Sequence, residues 1–209
     1  MPVSRAYEKV AGFVREAGYD FRGKTVLDIG SSTGGFTEFA LKSGAIKVIA
    51  IEKGTNQMKS PLRLDPRIEL HEKTDIFDCD REKLDFCDYF ETMENISKSS
   101  QKSNKTHLDT VLADVSFISL KKVLLHAKYH LVSLDTDFLV MLKPQFEAKP
   151  FELKKGVIKN EKIRRDLIKD FEKWLKENGF IVIKKRDNEL AGKNGNLERF
   201  YLLKLAKKY

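Results

Sequence analysis

The chain has 209 residues, with 39 Lys and Arg against 31 Asp and Glu and a net charge of +8. That length allows one domain with a sizeable core. No run of apolar residues is long enough to span a membrane, and the start MPVSRAYEKV lacks the apolar centre of a secretion signal, so a cytoplasmic protein with no membrane partner is expected. Cys79 and Cys87 share no C-x-x-C spacing, which argues against a disulfide framework or a zinc site; no metal is expected. The charge is uneven. Residues 59–95 hold eleven acids against six bases, whereas 149–176 hold ten bases against five acids, and 184–209 eight against three. Such basic stretches suit a polyanion, and they equally suit a lysine-rich solvated surface.

In chain order, Ala6, Val10, Phe13, Val14 and Ala17 recur at helical spacing and predict a helix over 5–17, with Gly18 after it. Runs rich in β-branched and apolar residues predict strands at 25–29, 47–51, 68–70, 110–114, 137–142, 180–185 and 199–205. Helical patterns at 35–43, 120–131 and 161–179 lie between most of them, and Gly179 stops the last. Alternating strands and helices predict an α/β fold, a seven-stranded mostly parallel sheet covered on both faces. The final two strands have no helix between them, which makes the last one antiparallel. The segment 93–107, MENISKSSQKSNKTH, is polar and aperiodic and reads as a flexible insert in a single domain spanning 1–209.

The first strand runs into VLDIGSSTGGF (26–36), an acid followed by a Gly/Ser loop and an amphipathic helix. A dinucleotide loop needs G-x-G-x-x-G, and the second glycine is missing. A triphosphate loop needs G-x-x-x-x-G-K-[ST]; Phe36 and Thr37 stand where Lys and Ser/Thr belong. D-x-G-x-x-x-G, here Asp28, Gly30 and Gly34, suits a ligand that carries a cation and no phosphate. The Asp28 carboxylate would face an amino group, and the glycines would let an adenosine approach the backbone. S-adenosylmethionine has those parts, with Ser32, Thr33, Gly35 and Phe36 completing the loop. Downstream, Glu52 ends the second strand, where a carboxylate accepts both ribose hydroxyls, and Lys53 follows it. Asp75 and Ile76 follow the third strand, near the expected adenine amino group. One acid at a strand end equally suits a solvated loop. The ordered set of three strand ends carries the cofactor reading, because ligands of such sheets bind outside the carboxyl ends of the strands.

Two further stretches, LADVSFISL (112–120) and MLKPQFE (141–147), place Asp114 and Lys143 after apolar strands at the same edge. A lysine ending a buried strand is costly unless it is paired. With SRAYEK near the start, DIGSSTGGFT, and the late GNLERFYLL, these motifs resemble the TlyA/hemolysin-A group of FtsJ-like RNA 2′-O-methyltransferases over about residues 3–205. The resemblance implies a Rossmann-like, S-adenosylmethionine-dependent methyltransferase fold and ribose methylation of ribosomal RNA. It also implies a catalytic tetrad at Lys9, Asp114, Lys143 and Glu198, with Lys143 as general base and Asp114 also near the cofactor. Typical members carry an S4 RNA-binding domain ahead of this region, whereas this sequence begins at the methyltransferase domain. Arg5, Lys154, Lys155 and Lys159 are the expected RNA contacts, with Arg164 and Arg165 either joining them or lying on a solvated helix face. A structural ion-pair network at the four tetrad positions, a methyltransferase with another substrate, and a non-catalytic RNA-binding protein remain the alternatives.

Overall fold

Thr25–Ile29 (β1) is buried at every position, as a strand covered on both faces must be. In a computed structural model that describes residues 3–84, 86, 107–188 and 195–207, β1 pairs in parallel with Lys47–Glu52 (β2) on one side and Thr110–Ala113 (β4) on the other. Ile68–Glu72 (β3) extends the sheet beyond β2, and Asp137–Leu142 (β5) extends it beyond β4. Arg199–Leu205 (β7) inserts antiparallel between β5 and the edge strand Phe180–Asp187 (β6). The order is β3-β2-β1-β4-β5-β7-β6, and all seven predicted strands are present. Residues 93–106 of the expected insert lie outside the described residues.

Among the described residues, four α-helices cover the sheet: Arg5–Ala17 (α1), Gly35–Lys42 (α2), Leu120–His130 (α3) and Glu161–Glu177 (α4). Gly18, at φ 64°, ends α1 and sends its N–H to Val14 O, the left-handed stop that glycine allows. Asn160 caps α4 by accepting from Lys162 N at 2.8 Å. None of the described helices is long and apolar enough to cross a membrane.

Alternation along the strands builds two cores. Leu27, Ile29, Val111, Phe138, Val140 and Tyr201 pack with α3 and α4. Val26, Leu112, Leu139, Met141, Phe200 and Leu202 pack with α1 and α2. In the second core Phe13 stacks on Phe200, centroids 5.1 Å apart and planes 12° from parallel. This stack seats α1 against β7, and each fully buried ring of this kind stabilises by about 1.5–3 kcal/mol.

The α1–α2 contact depends on Gly35. A Cβ there would lie 2.4 Å from Ser4 Oγ, 2.8 Å from Ala6 Cβ and 3.0 Å from Tyr7 N. The last of these is backbone and yields only if α1 moves. We expect Gly35→Ala to destabilise the fold by about 1–3 kcal/mol, the usual cost of overpacking, read as a lower midpoint in urea. An unchanged midpoint would show that α1 is not held against α2 at this point.

Candidate functional site

The carboxyl ends of β1, β2 and β4 meet through their backbones. Gly30 N and Ser31 N both donate to Ile51 O, at 2.9 and 3.2 Å. Gly30 has φ 82°, and a Cβ on it would sit 3.1 Å from Asp114 O; only glycine combines that conformation with so close a neighbour. Glu52 fastens the loop from the other side, Oε2 accepting from Ser32 N at 2.8 Å and Oε1 from Gly54 N at 2.6 Å. Asp75 accepts from Phe77 N at 3.2 Å and pairs with Lys53 at 2.7 Å. The Lys53 ammonium holds that carboxyl below the usual range.

Two cavities open along this edge. The larger, of about 650 Å³, is walled by Gly30, Ser32, Glu52, Lys53, Asp75, Ile76 and Asp114, together with the apolar Ile29, Ile51, Val115, Ile118 and Val123. A smaller one, of about 260 Å³, is walled by Arg5, Thr33, Gly35 and Phe36, with Ser4 and Ser31 and again Gly30, Ser32 and Asp114. The hydroxyls of Ser4 and Ser31 are buried and lack a hydrogen-bond partner among the described residues. Apolar walls with carboxylates at the rim in one cavity, and unsatisfied hydroxyls beside an arginine in the other, fit an adenosine that carries an amino-acid tail.

Two expected cofactor residues lie elsewhere. Asp28 is fully buried and is in neither wall. It shares the face of Val26, which turns it under the loop, where Thr37 Oγ1 donates to its Oδ2 at 2.6 Å. Burial, aided by the Asp114 and Glu52 charges, pushes its carboxyl up to about 7 despite the Thr37 bond. Gly34 also lines neither cavity: its Cβ position is occupied by Leu62 Cδ2, at 2.3 Å. Its role is in packing.

The four tetrad candidates share one face of the sheet. Asp114 continues the alternation of Leu112, and Lys143 that of Leu139 and Met141, both toward α1 and α2. The β5–β7 register pairs Leu142 with Arg199, so its next rung sets Lys143 opposite Glu198. Lys143 Nζ lies 2.6 Å from Asp114 Oδ1 and donates to Ser116 Oγ at 2.8 Å. Lys9 Nζ lies 2.5 Å from Glu198 Oε2. Lys9 and Phe13 are one helical turn apart, while Glu198, just before β7, is two residues from Phe200 within it. The helical and strand periods therefore align the ion pair with the aromatic stack beside it.

Three residues escaped sequence reasoning, although all stand in motifs quoted for their neighbours. Glu147, the acid of KPQFE, accepts from Ser119 Oγ at 2.6 Å and Leu120 N at 2.7 Å. It fixes the exit of β5 to the start of α3, where a carboxylate also meets the helix dipole. Phe117, at φ 63°, is 92% exposed at the cleft mouth and leans on Phe146, centroids 5.2 Å apart. Asn196, the amide of GNLE, accepts from Ile158 N and donates to Gly156 O, both at 3.0 Å. Only contacts between residues far apart in the chain reveal these roles.

Of the expected RNA contacts, Arg5 lines the small cavity. Lys154, Lys155 and Lys159 are exposed, as is Arg165. Arg164 is a correction: it is only 8% exposed, bonded through Nη2 to Asp187 at 2.7 Å and through Nε to Leu197 O at 3.2 Å, and it braces the segment that carries Glu198 into β7.

The model of the FtsJ-like methyltransferase family matches residues 2–205. The chain is 36% identical over 202 residues to the 23S rRNA (cytidine-2′-O)-methyltransferase TlyA of Campylobacter jejuni, covering 95% of this chain and 69% of that protein. It is 31% identical to the 16S/23S rRNA (cytidine-2′-O)-methyltransferase TlyA of Mycobacterium tuberculosis, covering 97% of this chain and 68% of that one. A solved structure of a provisionally named hemolysin from Streptococcus thermophilus superposes with a TM-score of 0.84 at 26% identity, over 99% of this chain and 68% of the other.

The buried acid has a pH signature. Because the folded state raises the Asp28 carboxyl to about 7, the folded chain holds a proton there that the unfolded chain loses near its ordinary value of about 4. The contribution of this group to stability is therefore present below about pH 4, declines as pH rises from about 4 to 7, and is flat above. Urea unfolding across that range should show a falling component for the wild type that is absent in Asp28→Asn. Identical slopes would mean that Asp28 ionises normally.

Proposed function

The chain belongs to the FtsJ-like methyltransferase family, and from that premise we propose that it methylates the 2′-hydroxyl of a cytidine ribose in ribosomal RNA, with S-adenosylmethionine as methyl donor. The observation that carries this reading is the Asp114–Lys143 pair, 2.6 Å apart, with its carboxylate in the walls of both cavities.

When bound, the cofactor supplies an electrophilic methyl group on a positively charged sulfur. Ile29, Ile51, Ile76 and Val115 in the larger cavity would hold its adenine. Glu52 and Asp75 would receive ribose and adenine donors. Each Glu52 oxygen already accepts one short backbone bond, and a carboxylate retains lone pairs beyond that. Arg5 and the hydroxyls of Ser4 and Ser31 would receive the amino-acid end in the smaller cavity. Gly30, Ser32 and Asp114 line both spaces, so the reacting carbon belongs beside Asp114.

On the acceptor side, Lys143 Nζ takes the hydroxyl proton. Asp114 Oδ1, 2.6 Å away, and Ser116 Oγ, which accepts from Nζ at 2.8 Å, would hold the amine in place for the incoming hydroxyl. The ammonium that forms is opposed at once by Asp114, an arrangement that needs no reorganisation during the reaction. Phe117, exposed at the rim, offers a face for the acceptor base. Lys9 and Glu198, with side chains 11% and 5% exposed, line neither cavity, and neither does Lys143; what separates Lys143 from that pair is its contact with Asp114, which lines both.

Two measurements test the reading. In single-turnover transfer at saturating cofactor, Lys143→Met and Lys143→Arg should both lose about 10²–10⁴-fold, the range for a positioned acid or base, because guanidinium does not give up its proton. Cofactor affinity should hardly change in either. Near wild-type rates for both would leave only a structural ion pair at this position. Separately, titration calorimetry should show S-adenosylmethionine binding that Glu52→Ala weakens by at least about 1.5 kcal/mol, the low end for a hydrogen bond to a charged group. Unweakened binding would remove Glu52 from the cofactor site.

A further inference from the structure

We infer that Phe151, with Lys149, Lys154 and Lys155, forms a second nucleotide subsite, in which the Phe151 ring stacks on an unpaired RNA base outside the pocket for the methylated nucleotide. The inference rests on the RNA reading given under Proposed function and adds a specificity element to it.

Phe151 is 81% exposed, a poor place for a phenyl ring unless it meets a partner. Its mounting is well defined. It stands in the short 3₁₀ turn Pro150–Glu152, where Lys149 N donates to Glu152 Oε2 at 2.7 Å and Glu152 N to Lys149 O at 2.9 Å. Proline at the first position restricts that backbone further. Lys149 Nζ lies 5.7 Å from the ring centroid. An aromatic face next to a cation is the pairing that single-stranded nucleic acids use, base on ring and phosphate on ammonium.

The lysines that follow are held on the same unit. Lys154 and Val157 exchange backbone bonds of 2.9 and 3.2 Å around Lys155 and Gly156, whose φ values of 53° and 76° make a tight reversed turn. The turn leaves Lys154 and Lys155 exposed at its tip. Asn196 bonds to the far side of this turn, at Gly156 O and Ile158 N. Two residues further along the chain is Glu198, paired with Lys9. At its other end the unit follows Glu147, which is fixed to Ser119 and Leu120. The platform is thus tied at both ends to residues next to the ion pairs. A base stacked on Phe151 would lie at a fixed offset from Lys143, as a flanking-nucleotide reader must. Stacking tolerates any base, so the subsite selects for an unpaired nucleotide rather than for a sequence.

The test uses the full 209-residue chain and a short, protein-free single-stranded RNA, with no cofactor added. Phe151→Ala should raise Kd about tenfold, within the range for loss of one stacked base, without changing the slope of log Kd against log salt. The double change Lys154→Gln, Lys155→Gln should reduce that slope by about 1.4, two phosphate contacts at about 0.7 each. Phe151→Trp should retain affinity, and its emission, after subtraction of the Trp174 signal, should be quenched by the RNA. Unchanged affinity in Phe151→Ala, an unquenched Phe151→Trp, or no RNA binding by the wild type would overturn the inference. So would an effect of Phe151→Ala confined to intact ribosomal subunits, which would assign the ring to a ribosomal protein. Failure of the methyltransferase reading looks different: Phe151-dependent RNA binding persists while the wild type transfers no methyl group.

Discussion

The site depends on one reversed strand. Parallel strands all deliver their carboxyl ends to the same edge of a sheet, and they deliver Asp114 and Lys143 there. A residue at the beginning of a strand reaches that edge only if the strand runs the other way. β7 does so, between β5 and β6, and its register sets Glu198 opposite Lys143. Glu198 then fixes Lys9 on α1, and the Phe13–Phe200 stack keeps α1 in place. Three strands and one helix thus converge on one side of the sheet.

Convergence of charge in a packed region carries a penalty. Lys143 and Asp114 are 12% and 19% exposed, and Lys9 and Glu198 less on average. Removing one member of such a pair leaves its partner desolvated and alone, which costs about 3–5 kcal/mol for a fully buried pair. The protein surrounds the cluster with bonds that limit movement. Glu147 anchors the loop after Lys143, while Arg164 and Asn196 brace the residues just before Glu198. A loss of activity from changes at these supports would be expected even though none touches a reacting atom.

Much of this was legible in the sequence because it is local. The strands are runs of β-branched residues bounded by turns, and all seven begin at the predicted residue and end within two of the predicted position. The pairing of Asp114 with Lys143 follows from two motifs ending neighbouring strands. What the sequence left open shares a cause. Asp28 and Gly34 belong to a recognisable loop, but the motif does not say which loop residues face the ligand and which face the protein. Alternation from Val26 would have turned Asp28 under the loop. Glu147, Asn196 and the buried Arg164 act through partners 23 to 40 residues away, a distance at which neither composition nor periodicity carries information.

Asp114 lines both cavities, and this has a thermodynamic consequence. A ligand in either space that alters the charge or hydrogen bonding at that carboxylate alters the free energy of a ligand in the other. The coupling is reciprocal by necessity: the factor by which the first occupant changes affinity for the second is the factor by which the second changes affinity for the first. A shared wall residue would therefore couple an adenosine fragment in one space to an amino acid in the other, the two parts of the proposed cofactor taken separately.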